Sequence, residues 1–171
     1  GIHSWGFIGP EWATAAASPG ALFKFYATEG GIRAPLIFYG PGITPTRIDS
    51  PAMVTDVTPT LLDMLDFEIP ADDPARRMTG RSLLPVITGE TESVYAHDDV
   101  RAIEVSGNSA LYKGDYKITR SIAPVGDGKW RLFDMVEDPG ETTDISAQEP
   151  EIMTELLAAY AMYERDHGVL P

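Results

Sequence analysis

The sequence predicts an α/β protein, and three patterns along the chain support that fold class. Residues Ala34–Tyr39 form a short continuous apolar run, which is typical of a strand buried on both faces within a parallel sheet. Beyond residue 100, short strand candidates alternate with tight turns, as in an antiparallel sheet. Near the end of the chain, apolar residues recur at the spacing of an amphipathic helix.

The first forty residues lead into the predicted strand. Gly1–Pro19 is rich in Gly, Trp, Ala and Ser and has no sustained period, which predicts a loop with room for a short helix. Ala21–Tyr26 is apolar except for Lys24. The segment Thr28-Glu29-Gly30-Gly31 follows, and its two glycines permit a sharp turn before the strand.

A helix is predicted after the strand. Thr58 is a suitable N-cap and Pro59 suits the first helical position, so the helix would run to about Asp66. Its buried face would consist of Leu61, Leu62, Met64 and Leu65. Gly80–Pro85 then leads to a short apolar element that ends near Gly89. We place a boundary after the acidic residues that follow, so that residues 1–92 and 93–171 form two segments.

The second segment contains four predicted strands, which are Val100–Val105, Ser109–Lys113, Tyr116–Ile122 and Trp130–Asp134. Lys113-Gly114-Asp115 has the composition of a hairpin turn. The third strand alternates Tyr116 and Ile118 with Lys117 and Thr119, which predicts one buried and one solvated face.

The final predicted element is a helix from Pro150 to about His167, with Gly168 as its stop. We expect it to cover one face of the sheet. The stripe that faces the sheet would comprise Ile152, Leu156, Leu157, Tyr160 and Tyr163.

Composition excludes several classes of partner and site. With 13 basic and 26 acidic residues the formal charge is −13, which repels nucleic acid and anionic lipid surfaces. No apolar run approaches the roughly 20 residues that a membrane-spanning helix needs, so we expect no membrane partner. Cysteine is absent, which excludes disulfides, thiol nucleophiles and Cys-based zinc sites from this chain.

Few residues are candidates for chemistry on sequence alone. Lys24 lies among Leu22, Phe23, Phe25 and Tyr26, so its amine either reaches water along an apolar stem or meets an anion. His97 precedes two aspartates in a polar loop, which is either a solvated turn or the rim of a substrate site. His3 and His167 are far from it in sequence, so no metal-ligand spacing is formed and we predict no metal ligands.

Five motifs together resemble the sulfatase family, in the order that the family shows. Leu22–Pro35 (LFKFYATEGGIRAP) resembles its signature of a lysine before a Glu-Gly-Gly turn. Val57–Asp63, Gly80–Pro85 and Gly114–Lys117 follow. Trp130–Ile145 (WRLFDMVEDPGETTDI) resembles the closing motif of the family, and the bacterial arylsulfatases look most similar.

The resemblance implies an alkaline-phosphatase-like fold. Residues 1–92 would be the C-terminal end of the catalytic α/β domain. Residues 93–171 would form a small subdomain in which a terminal helix packs on an antiparallel sheet. In such enzymes a formylglycine attacks sulfur and a calcium ion orients the sulfate. We expect the formylglycine precursor and the calcium ligands to lie upstream of Gly1, so this segment alone would be inactive.

The resemblance also assigns roles to residues of this chain. Lys24 matches the family lysine that binds a sulfate oxygen, so it is the predicted catalytic residue, and His97 is a weaker candidate for substrate binding. The implied partners are a small-molecule sulfate ester and the N-terminal remainder of the same protein. Two alternatives remain open: a phosphonate monoester hydrolase or phosphodiesterase of the same superfamily, and a noncatalytic interaction module.

Overall fold

A computed structural model describes residues 6, 8–70, 72–74 and 78–169 of the chain. Two compact units are present: the first comprises Gly1–Pro35 and His97–Pro171, and the second comprises Leu36–Ala96. Thus the segment that carries Lys24 belongs to the same unit as the C-terminal sheet. The boundary predicted after residue 92 concerns the domains of the longer protein, so it stays a prediction.

The first unit is built on a four-stranded antiparallel sheet of order β1-β2-β3-β4, and all its connections are between neighbours in sequence. Hairpin turns produce this order because each short strand pairs with the next along the chain. Gly114, in the β2–β3 turn, has a φ of 58°, a conformation that favours glycine. The strands are β1 (Arg101–Val105), β2 (Asn108–Lys113), β3 (Tyr116–Arg120) and β4 (Trp130–Asp134).

Helix α5 (Pro150–His167) covers one face of this sheet, as the sequence predicted. It ends at Gly168, whose φ of 64° is the left-handed conformation of a glycine C-cap. Leu156 and Tyr160 are buried against the sheet, and the other three predicted stripe residues pack around them. The core on this face consists of Ala102, Leu111, Ile118, Leu132, Leu156 and Tyr160.

The opposite face of the sheet is also buried, which corrects the prediction of a solvated face. Lys117 is 0% exposed and Thr119 only 5% exposed. Two elements precede the sheet in this unit, α1 (Gly9–Ala17) and the short helix α2 (Glu29–Ile32). Glu29 of α2 contacts side chains of β2 and β3 on this second face. The alternation of β3 was therefore identified correctly, but its polar face packs against protein rather than water.

The second unit contains a 3₁₀ turn (Val54–Asp56) that continues into α3 (Val57–Met64), and a short helix α4 (Leu84–Ile87). Helix α3 therefore begins one residue before the predicted N-cap. Its predicted burial is partly wrong, because Thr60 is fully buried whereas Leu61 and Leu65 are 48% and 76% exposed. The polar Thr60 is inside because its hydroxyl bonds two backbone groups.

The predicted strand Ala34–Tyr39 is not a strand in this chain. Its residues form no ladder with any described residue. Ile37 and Tyr39 are 84% and 99% exposed. An extended segment becomes a strand only when a neighbour pairs with its backbone N–H and C=O groups, and the described parts of this chain provide none.

Candidate functional site

Lys24 lies on a loop, residues 21–28, that is closed on itself at its base. The carbonyl of Ala21 accepts hydrogen bonds from the hydroxyl of Thr28 (2.6 Å) and from the backbone N–H of Gly30 (3.0 Å). Inside the loop, the N–H of Tyr26 donates to the carbonyl of Phe23 at 3.2 Å. We call this segment the Lys24 loop.

The tip of the Lys24 loop is tied to the sheet. The side-chain amide of Asn108, the first residue of β2, donates to the carbonyl of Phe25 at 2.8 Å. Asn108 is only 4% exposed, and its Oδ1 accepts from the N–H of Ile122 at 3.0 Å. This amide therefore has fixed partners on both of its ends, so it is a rigid support one residue away from Lys24.

Two residues of the Lys24 loop have a strained backbone. Leu22 has a φ of 59° and Phe25 a φ of 86°, although neither is glycine. Such conformations cost about 1–3 kcal/mol each and persist where the surrounding contacts over-determine them. Strain on both sides of Lys24, held by the hydrogen bonds above, indicates a loop with one defined shape.

The amine of Lys24 is presented to solvent. The residue is exposed, and Nζ lies 5.4 Å from the centroid of the Phe25 ring, which is itself 57% exposed. An accessible cation on a rigid loop is suited to bind an anion that arrives from outside this unit.

The glycines after the Lys24 loop are required by close backbone contacts. A Cβ on Gly30 would lie 2.3 Å from the carbonyl oxygen of Leu22, and one on Gly31 would lie 2.0 Å from that of Tyr26. Neither distance is possible for a real Cβ atom. Both glycines therefore allow α2 to pack directly on the loop, which gives the Glu-Gly-Gly motif a structural role.

Glu29 ties α2 to the sheet through a buried charged cluster that the sequence did not reveal. Its Oε1 lies 2.9 Å from Nζ of Lys117 and also accepts from the hydroxyl of Tyr112. Nζ of Lys117 lies 2.7 Å from Oε1 of Glu141. Glu141 in turn accepts from the backbone N–H of Glu29 at 2.8 Å. We call these four side chains the Lys117 cluster.

The Lys117 cluster is almost completely shielded from water. The side chains of Lys117, Glu141 and Glu29 are 0%, 1% and 7% exposed. Burial alone would raise the pKa of Glu29, but the Lys117 charge and the hydrogen bonds from Tyr112 and Lys117 outweigh it and lower this pKa from its usual value. Burial, and then the Glu29 carboxylate, raise the pKa of Tyr112, so its hydroxyl remains a donor.

Glu141 reaches the cluster from a turn that follows β4. The residue has a φ of 57°, and the turn that contains it is held by Asp138, whose carboxylate accepts from the N–H groups of Thr142 (2.7 Å) and Thr143 (2.8 Å). Three of the motifs that resemble sulfatases thus meet at one place. Glu29, Lys117 and Glu141 come from the Glu-Gly-Gly, Gly-Asp-Tyr-Lys and Asp-Pro-Gly-Glu motifs.

The other two motifs meet in the second unit, around the buried carboxylate of Asp56. This carboxylate accepts from the backbone N–H groups of Met53 (2.7 Å) and Arg81 (2.8 Å) and from the hydroxyl of Tyr95 (2.6 Å). A Cβ on Gly80 would lie 2.0 Å from the carbonyl oxygen of Thr55. The backbones of these two residues can therefore lie this close only because residue 80 is a glycine. These three hydrogen bonds give the buried Asp56 a structural role at the start of α3.

His97 lies far from Lys24 within the first unit. Its Nε2 is 2.9 Å from Asp115 and its Nδ1 is 3.2 Å from Asp98, and these hydrogen bonds raise the pKa of the exposed imidazole. The carbonyl of His97 accepts from the N–H of Gly114, at the opposite end of β2 from Asn108. Six strand residues separate these ends by about 17 Å. The structure thus does not bring the two predicted site residues together.

The remaining histidines add nothing to a site in the described structure. His3 lies outside the described residues. His167 is in the last turn of α5, where its Nδ1 is 3.1 Å from the carbonyl of Tyr163. In the part of the chain that the structure describes, no group of three or more His, Asp or Glu side chains could hold a metal ion, and no helix is long and apolar enough to cross a membrane.

Comparison with known proteins identifies the family. Residues 20–160 match the family model described as N-sulphoglucosamine sulphohydrolase, C-terminal. An uncharacterized sulfatase of Schizosaccharomyces pombe is 33% identical over 98% of this chain and 31% of its own length. A choline-sulfatase of Rhizobium meliloti is 32% identical over 74% of this chain and 24% of its own length.

Solved structures agree on the fold. The structure of Ps i-CgsB in complex with k-i-k-neocarrahexaose has a TM-score of 0.69 and 19% identity, and the match covers 85% of this chain and 32% of that one. The chain therefore spans about a third or less of the relatives that it matches. These matches confirm the resemblance that five short motifs indicated, and the chain belongs to the sulfatase family, of which it represents a C-terminal portion.

Proposed function

We propose that this chain is the C-terminal part of a longer arylsulfatase-like hydrolase, in which Lys24 binds a sulfate oxygen of the substrate. The products would be an alcohol or phenol and inorganic sulfate. One observation carries the proposal: Lys24 is an exposed cation on a strained loop that is anchored at both base and tip. Such a loop presents one positive charge at a fixed position, at little cost in reorganisation.

The chemical role of Lys24 is electrostatic. Hydrolysis of a sulfate ester shifts negative charge among the sulfate oxygens and the leaving group. An ammonium group that is already in place stabilises the more concentrated charge of the transition state. This effect grows when the site is closed to water, because the effective dielectric constant then falls. The longer protein would provide that closure, since Lys24 is open to solvent in this chain.

The nucleophile and the metal site would come from the rest of the protein. Members of the family generally use formylglycine and calcium, but the residues of this chain do not fit either group. The chain has no cysteine, and none of its serines begins the Ser-x-Pro/Ala-x-Arg sequence in which the family forms formylglycine. No cluster of potential metal ligands occurs among the described residues. We therefore derive no step through either group, and this segment by itself should be inactive.

Exposed apolar side chains of the second unit support the existence of a larger body. Ile37, Tyr39, Val54 and Leu65 are 84%, 99%, 85% and 76% exposed. Large apolar residues at this exposure mark a surface that is usually covered by another part of the protein. In our proposal, the N-terminal remainder of the same protein covers them and supplies strand neighbours for the segment Ala34–Tyr39.

The test compares Lys24→Ala with the unmodified longer protein, at equal folded concentration, in turnover of a chromogenic aryl sulfate. We expect kcat/KM to fall by about 30- to 1000-fold, which corresponds to about 2–4 kcal/mol of transition-state stabilisation. Lys129→Ala is the matched control, because Lys129 is an exposed lysine in the β3–β4 connection of the same unit. It should leave turnover unchanged.

Two outcomes would contradict the proposal. Unchanged kinetics of Lys24→Ala in an active enzyme would remove Lys24 from the site. Turnover of aryl phosphonate monoesters without turnover of aryl sulfates would instead assign the chain to the phosphonate hydrolases of the superfamily.

A further inference from the structure

The Lys117 cluster lies at the base of the Lys24 loop. Glu29 is flanked by Thr28 and Gly30, and both of these neighbours donate to the carbonyl of Ala21, where the loop begins. A displacement of Glu29 therefore moves both hydrogen bonds that close the loop. The only chain between this closure and the Phe25 carbonyl, which Asn108 holds, is the short segment that contains Tyr26 and Ala27.

A buried ion cluster is a poor way to gain stability, since well-packed apolar residues of similar size often do as well. Its advantage over apolar packing is that ion pairs and hydrogen bonds fix the orientation of the groups that they join. Lys117 has one carboxylate on each side, at 2.9 Å from Glu29 and 2.7 Å from Glu141. Glu141 also binds the backbone N–H of Glu29, so side chain and backbone of the same residue are both fixed. An apolar contact would leave that backbone free to shift or rotate.

We propose that Lys117 and Glu141 are positioning residues for Lys24, which fix the Lys24 loop through their hold on Glu29. The inference rests on the proposed function, because it names the device that places the sulfate-binding lysine of that same site. Lys117 itself is fully buried and Glu141 nearly so, so neither touches the substrate. Their effect on catalysis should pass entirely through Lys24.

A double-mutant cycle tests this in the longer protein. Glu141→Gln keeps the shape of the side chain and an oxygen that can accept from the N–H of Glu29, but removes the charge that faces Lys117. We expect this substitution to lower kcat/KM for an aryl sulfate by about tenfold, because small displacements of a charge-stabilising group are costly. In a Lys24→Ala background the same substitution should change kcat/KM by less than about twofold.

The readout is the coupling between the two positions, which general loss of structure would not produce. Equal fractional losses in both backgrounds would overturn the proposal. Lys113→Gln is the control, since it breaks the ion pair between Lys113 of β2 and Glu155 of α5, which lies outside the Lys117 cluster. It should leave kcat/KM unchanged in both backgrounds, and a loss equal to that of Glu141→Gln would also overturn the proposal.

A second variant keeps the test decisive if Glu141→Gln does not fold. Tyr112→Phe removes one hydrogen bond to Glu29 and no charge. It should lower kcat/KM by about threefold with Lys24 present and not at all with Lys24→Ala, whereas equal losses would overturn the inference. The two proposals fail in different ways. Unchanged kinetics of Lys24→Ala would defeat the proposed function. A loss of kcat/KM in Lys24→Ala without coupling to the cluster would defeat only the positioning role.

Discussion

Removal of the buried cation from the Lys117 cluster should be among the most destabilising single substitutions in the first unit. Lys117→Met keeps an unbranched side chain that is one atom shorter, but leaves the carboxylates of Glu29 and Glu141, both less than a tenth exposed, without their shared counter-charge. Breaking a buried pair by removal of one partner costs about 3–5 kcal/mol. For a chain of this size that corresponds to a fall in Tm of roughly 10 °C.

The triple variant distinguishes the electrostatic explanation from loss of packing. When Lys117→Met is combined with Glu29→Gln and Glu141→Gln, no charge remains in the Lys117 cluster, and we expect stability to recover to within about 1 kcal/mol of the wild type. Lys113→Met is the control. It breaks a pair whose Glu155 side chain is 56% exposed, and surface pairs contribute only about 0–1 kcal/mol.

Urea denaturation monitored by tryptophan fluorescence measures these differences. Trp130 lies in β4 and packs on Tyr160, with ring centroids 4.6 Å apart, so its emission reports on the unit that contains the cluster. A loss below about 1 kcal/mol in the free energy of unfolding of Lys117→Met would refute the reasoning, because two buried carboxylates without a counter-charge should cost more than that. So would a triple variant that is as unstable as the single one.

Three further predictions concern other parts of the structure. Leu156→Ala should lower the free energy of unfolding by about 2–5 kcal/mol in the same fluorescence assay, because Leu156 is 2% exposed in the core under α5. Because the pKa of Glu29 is lowered from its usual value, its contribution to stability is complete above the pKa of the unfolded state and is lost as the pH falls through the folded-state pKa. Thermal melts of Glu29→Gln at a series of pH values should therefore show a weaker loss of stability in acid than those of the wild type. Asp56→Ala leaves two backbone N–H groups and a tyrosine hydroxyl without their acceptor, and hydrogen exchange of peptides spanning residues 53–60 should show local opening easier by about 3 kcal/mol; unchanged protection there would contradict the role of Asp56.

Local patterns in the sequence predicted much of the first unit. The helix Pro150–His167 has the predicted bounds, because its stripe of apolar residues and its terminal Gly168 are both local signals. All four strands were located to within two residues at either end, since hairpin turns and alternation are also local. The family was identified from motifs, and the comparisons confirm it.

Features that depend on distant contacts were missed. Alternation showed that Lys117 is on one face of β3, but burial of that face depends on Glu29, 88 residues earlier in the chain. The failed strand Ala34–Tyr39 illustrates the same point, because an apolar run does not specify which chain pairs with it. One signal was available: Glu29, Lys117 and Glu141 are opposite charges within motifs of one family, which is a reason to expect them to meet.

The candidate site itself was predicted in part. The resemblance drew attention to Lys24, and the structure places it on an anchored loop, although its role in sulfate binding stays a prediction. The strained backbone at Leu22 and Phe25 could not be foreseen, because neither residue favours a positive φ. The support by Asn108 could not be predicted from the sequence either. It depends on a contact between the first residue of β2 and a loop residue 83 positions earlier in the chain.

The most direct test of the central claim is a crystal structure of the longer protein with inorganic sulfate bound. Our account predicts that Nζ of Lys24 lies within about 3.2 Å of a sulfate oxygen, the range of a charge-assisted hydrogen bond. It also predicts that the Lys24 loop keeps the contact between Asn108 and the Phe25 carbonyl. A sulfate bound in the catalytic cleft without a contact to Lys24 would contradict the account.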